Sequence, residues 1–80
     1  MHFLHPVPRV DLVEIVRGLK TSDETFQRTK RFVEEVLRMT GIMVYESPGF
    51  VTTRLINVLI NEALHVLAEG VASAEDIDTA

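Results

Sequence analysis

Eighty residues make one small domain or part of a larger one, and a chain this short buries only about 60% of its extended surface. With 46% hydrophobic and 25% charged residues the composition is globular, and no apolar stretch reaches the ~18 residues of a spanning helix, which argues against a membrane role. A net charge of −4, with eight Lys and Arg interleaved among acids, argues against nucleic acid, and the absence of cysteine removes disulfides and thiolate metal sites.

In chain order, residues 1–5 (MHFLH) predict a short strand that stops at PVP, because Pro6 and Pro8 cannot donate to a ladder. Residues 11–17 predict a second strand ended by Gly18. TSDE then opens a helix, with Ser22 or Thr21 as cap and Asp23 and Glu24 at its positive end. Phe26, Val33, Val36 and Leu37, with Phe32 beside them, recur at helical spacing to about Met39. Gly41 is expected to end that helix, and residues 42–46 (IMVYE) predict a third strand. SPGF predicts the start of a long helix, with Ser47 as N-cap and Pro48 at the first helical position. That helix runs to about Glu69, followed by Gly70. Val51, Leu55, Val58, Leu59, Val66 and Leu67 line one face, and Ile56, Ile60 and Leu64 widen it, so the helix needs neighbours on more than one side. SAED (73–76) caps a last helix, inside which the chain stops.

The order strand, strand, helix, strand followed by helices alone places a domain boundary near Glu46–Ser47, giving units of 1–46 and 47–80. The chain reads as cut at both ends, within a sheet and within a helix.

Few residues carry chemistry. His2 and His5 are three apart in the first strand, so alternation points them to opposite faces; with no cluster at ligand spacing, no metal site is expected. His65 reads as a surface residue of the long helix. Glu14 is the unusual one, a carboxylate inside the aliphatic run LVEIV. Either it lies in water at a sheet edge, or it is buried with a partner, because an unpaired buried carboxylate costs several kcal/mol. His2, His5, Arg9 and Arg17 are the cationic candidates. A His2–Glu14 pair would form a dyad in which the acid fixes the imidazole tautomer and raises its basicity.

The stretches MHFLHPVPRVDLVEIVRGLKTSDET and SPGFVTTRLINVLINEALHVLAEGVASAEDID together resemble the L-3-hydroxyacyl-CoA dehydrogenases, including 3-hydroxybutyryl-CoA dehydrogenases, over nearly the whole chain. The resemblance implies an α/β fold going to all-α: the last strands of a Rossmann-type NAD-binding domain, then the first helices of a helical dimerisation domain. It implies NAD-dependent, reversible oxidation of an L-3-hydroxyacyl-CoA in fatty-acid or butanoate metabolism, by a cytoplasmic homodimer of which these residues are a part. His2 falls on the family's catalytic histidine and Glu14 on its carboxylate partner. His5 stands where the family usually has Asn after H-F-x, a position carried here as cofactor-binding. Thr53 stands where it has Asn in P-G-F-x-x-N-R, a substrate-holding position. The family's glycine-rich nucleotide loop is absent from the 80 residues: no GxGxxG occurs among four glycines. The competing reading is a catalytically silent homologue or a helical dimerisation module, to which His5 and Thr53 lend slight support and the presence of both His2 and Glu14 does not.

Overall fold

A computed structural model describes residues 1–80 as two compact units, Met1–Phe50 and Val51–Ala80. The first holds β1 (His2–Phe3), β2 (Leu12–Arg17), α1 (Asp23–Arg31) running into a wide turn (Phe32–Val36), and β3 (Thr40–Tyr45). The second holds α2 (Thr52–Ala68) and α3 (Ala74–Thr79).

In the first unit the strands lie in the order β1-β2-β3, with β1 antiparallel and β3 parallel to the central β2. Joining the parallel pair through α1 makes a βαβ unit, the connection that parallel strands require. Side chains alternate along β2, so Val13 and Ile15 face α1, where they pack with Phe26 and Val33 into the core. Phe3, Leu37 and Met39 pack against its margin. Glu14, between Val13 and Ile15, therefore points to the opposite face of the sheet.

Several local expectations hold. Ser22 caps α1, its hydroxyl accepting from the Thr25 N–H at 3.1 Å, and Ser73 caps α3 by accepting from Asp76 N–H at 3.1 Å. Gly70 takes a left-handed conformation (φ 68°) after α2.

Others are corrected. β1 covers only His2 and Phe3, and His5 lies outside it at a cis bond to Pro6; turn bonds from Arg9 and Val10 N–H to the Pro6 carbonyl replace the ladder. After Arg31 the helix widens, Leu37 N–H donating to the Phe32 carbonyl five residues back, and the extra residue rotates the following positions. Val36, expected on the buried face, is thus exposed, and Phe32 beside that face is exposed as well.

Arg38, not Gly41, ends this helix: it takes φ 59°, and Met39 N–H reaches back to the Val33 carbonyl. Gly41 instead sits in β3 opposite Val13. A Cβ there would come within 2.8 Å of Ile15 Cδ1 and 3.4 Å of Val33 Cγ1, so glycine is what lets the core close over β3. Gly41→Ala should destabilise the folded protein by about 1–3 kcal/mol through overpacking, read as a lower denaturation midpoint. An unchanged midpoint would contradict this packing role.

SPGF is not a helical first turn. Phe50 N–H donates to the Ser47 carbonyl at 3.0 Å, closing a tight turn, and Gly49 (φ 75°) and Phe50 (φ 44°) are both left-handed. Two left-handed residues cannot belong to a right-handed helix, so α2 begins only at Thr52. In the second unit no residue of α2 is buried, and Leu55, Val58 and Leu59 are among its exposed apolar side chains.

Candidate active site

The antiparallel register of β1 and β2 sets His2 opposite Glu14. Directly opposed residues in such a pair present their side chains to the same face, close enough for contact. His2 Nδ1 and Glu14 Oε2 lie 2.7 Å apart. The Glu14 side chain is 0% exposed and that of His2 37%. The alternative of a solvent-facing glutamate at a sheet edge is therefore excluded: β2 is the central strand, and its carboxylate is buried and bonded.

This geometry carries a chemical consequence. An ionised carboxylate only accepts hydrogen bonds, so Nδ1 must be the protonated nitrogen, donating to Glu14. The neutral imidazole then keeps its lone pair on Nε2, and the partial exposure of His2 leaves that nitrogen reachable. When Nε2 takes up a proton, the carboxylate next to Nδ1 stabilises the resulting imidazolium. With the carboxylate ionised, this arrangement leaves Nε2 as the atom of the pair that can accept a proton.

A third side chain touches the pair. The Phe50 ring lies against the His2 imidazole, with centroids 5.2 Å apart and planes inclined by 52°. This is an ordinary tilted aromatic contact, worth about 0.5–1.5 kcal/mol. Sequence alone does not point to it, because SPGF fits the pattern of a helical first turn. The available signal was the glycine before the aromatic, which marks a turn at least as well as a helix start.

Arg17 is engaged elsewhere: its guanidinium donates to the Asp23 carboxylate and lies 5.5 Å from the centre of the Phe26 ring. Arg9 is exposed in the turn after β1. His5 is exposed beside the cis bond to Pro6, outside β1. Thr53 is half-buried in the first turn of α2, in the second unit. His65 is exposed on α2, as expected of a surface residue.

No helix is long and apolar enough to cross a membrane. Comparison with known proteins gives a consistent answer along the whole chain. A family model described as "3-hydroxyacyl-CoA dehydrogenase, NAD binding domain" matches residues 1–47, and one described as "3-hydroxyacyl-CoA dehydrogenase, C-terminal domain" matches residues 49–80. The chain is 40% identical over its full length to a 3-hydroxybutyryl-CoA dehydrogenase of Bradyrhizobium diazoefficiens, covering 27% of that protein. It is 44% identical, again over its full length, to the 3-hydroxybutyryl-CoA dehydrogenase of Clostridioides difficile, covering 28% of it. Among solved structures, the (S)-3-hydroxybutyryl-CoA dehydrogenase of Ralstonia eutropha superposes with a TM-score of 0.83 at 47% identity, over 95% of this chain and 26% of that one. The chain thus spans about a quarter of the length of the relatives it matches. The fold class is the one expected, the closing strands of a Rossmann-type NAD-binding domain leading into helices of a C-terminal domain, and the chain belongs to the 3-hydroxyacyl-CoA dehydrogenase family.

Proposed function

We propose that these residues supply the acid–base site of an NAD-dependent enzyme that reversibly oxidises L-3-hydroxyacyl-CoA to 3-oxoacyl-CoA. The observation that carries this reading is the 2.7 Å contact between His2 Nδ1 and the buried Glu14 carboxylate. In the oxidation direction, His2 Nε2 takes the proton of the C3 hydroxyl as the C3–H bond breaks and a carbonyl forms. Glu14 holds the imidazole in the tautomer that can do this and stabilises the imidazolium. In the reverse direction the same imidazolium returns the proton to the carbonyl oxygen. NAD, when bound, supplies the acceptor for the C3 hydride.

The 80 residues fit the proton-handling half of that chemistry and not the nucleotide-holding half. Their four glycines stand at 18, 41, 49 and 70, so none forms the glycine-rich turn that cradles a pyrophosphate. In this reading residues 1–46 end the nucleotide domain, 47–80 begin the helical one, and the phosphate loop belongs to the remainder of a protein about four times longer. The change of matching family model between residues 47 and 49 supports that division.

Two further positions are assigned on the family pattern. Thr53 contacts the acyl-CoA through its hydroxyl, and His5 lies on the cofactor side. One neutral hydrogen bond is worth about 0.5–1.5 kcal/mol. Thr53→Val should therefore raise the KM for acetoacetyl-CoA about threefold to tenfold, and His5→Ala should act in the same way on the KM for NADH. An unchanged KM in either variant removes that assignment.

A homodimer formed through the helical domain is carried over from the family resemblance. Sedimentation of the full-length protein as a monomer would contradict it. Residence in the cytoplasm is part of the same reading. The experiment for the function as a whole is to mix the full-length protein with acetoacetyl-CoA and NADH and follow NADH absorbance. Consumption that requires both substrates is expected. No consumption with acyl chains of any length would overturn the proposal and favour a catalytically silent homologue.

A further inference from the structure

We propose that Phe50 is a positioning residue that holds the His2 imidazole at the angle from which Nε2 meets the substrate hydroxyl. This rests on the acid–base reading of His2 and adds to it a second restraint on the ring. The hydrogen bond from Nδ1 to Glu14 fixes one edge of the imidazole, but a single bond leaves the ring free to rock about it. The Phe50 ring, 5.2 Å away and inclined by 52°, blocks that rocking from a different direction. Two contacts of different kind, one at an edge and one against the ring, define an orientation that neither defines alone.

The backbone at Phe50 gives independent support. Its φ of 44° lies in the left-handed region, where a bulky aromatic residue is a true outlier. Gly49 beside it is also left-handed, at φ 75°, so the turn closed by Phe50 N–H and the Ser47 carbonyl would be formed with least strain by glycine at both positions. An aromatic is held there instead, and its ring lies on the imidazole. Strained residues held by their surroundings cluster at functional sites, where the strain fixes a geometry.

The test uses the full-length enzyme and four variants: Phe50→Gly, Phe50→Tyr, His2→Gln, and Phe50→Gly combined with His2→Gln. Phe50→Gly removes the ring and relieves the backbone, so a loss of turnover in it cannot be ascribed to a damaged fold if its melting temperature is unchanged or higher. The expected result is a fall in kcat of about 10- to 100-fold, the scale of a misplaced reacting group, with the KM for acetoacetyl-CoA within about twofold. Phe50→Tyr restores most of the lost turnover. In the double variant the glycine lowers kcat no further than His2→Gln does alone, because a ring that acts through His2 has nothing left to position. Wild-type kcat in Phe50→Gly, or a loss that adds in full to that of His2→Gln, overturns the proposal. Full turnover in His2→Gln is a separate failure: it overturns the acid–base reading itself, whatever Phe50→Gly shows.

Discussion

Replacing His2 with Gln in the full-length protein should lower turnover by about 10²–10⁴-fold, the usual contribution of a positioned general base, while NADH binds as before. His2 carries the one basic nitrogen of the pair, and Glu14, being buried and bonded through Nδ1, cannot itself reach a substrate hydroxyl. Binding should be spared because His2 is placed to move a proton and not to hold a nucleotide. His2→Asn is the sharper companion. Its amide N–H stands near the position of Nδ1–H and can still donate to Glu14, but it has no basic atom to replace Nε2. Stability close to wild type with the same loss of kcat would isolate proton transfer from packing. Steady-state kinetics and NADH fluorescence titration provide the two readouts. Unchanged turnover in both variants would remove the general-base role.

The second large effect is expected at Glu14. Glu14→Gln keeps the shape of the side chain and removes its charge, so the imidazolium that forms during oxidation loses its stabilising partner. The amide can also present a donor to Nδ1, which favours the tautomer with the proton on Nε2, the wrong nitrogen for accepting one. Turnover should fall by about 10²-fold or more. Steady-state turnover in both directions reads this loss, and wild-type turnover in Glu14→Gln would mean that the carboxylate is structural only.

Much of this site was legible in the sequence because it follows from alternation. In LVEIV a strand with Val13 and Ile15 toward a core must send Glu14 to the other face, and a short strand ahead of PVP offers His2 as a neighbour. Spacing alone left open whether that face is wet and which of His2, His5, Arg9 and Arg17 meets Glu14. The order β1-β2-β3 decides the first by making β2 central, and the register of β1 on β2 decides the second; both are properties of long-range pairing. The caps at Ser22 and Ser73 and the glycine at 70 were legible because each depends on a few adjacent residues.

The misread segments failed for a shared reason. Gly41 looks like a helix terminator, but its absent side chain answers to Ile15 and Val33, residues distant in sequence. The widened turn at Phe32–Val36 has no local signature, and it moved Val36 from the expected core to the surface. SPGF carries a good helix-start pattern, yet Gly49 and Phe50 turn left-handed and delay α2 to Thr52. That misreading also hid the contact between Phe50 and His2.

The tautomer of His2 is read most directly from its ring ¹⁵N spectrum in the full-length protein, recorded where the imidazole is neutral. A protonated Nδ1 is expected, with its proton shifted downfield by the bond to Glu14, together with an unprotonated Nε2, both changed in Glu14→Gln. A neutral ring with its proton on Nε2 would contradict it, because that tautomer has no lone pair to offer the substrate hydroxyl.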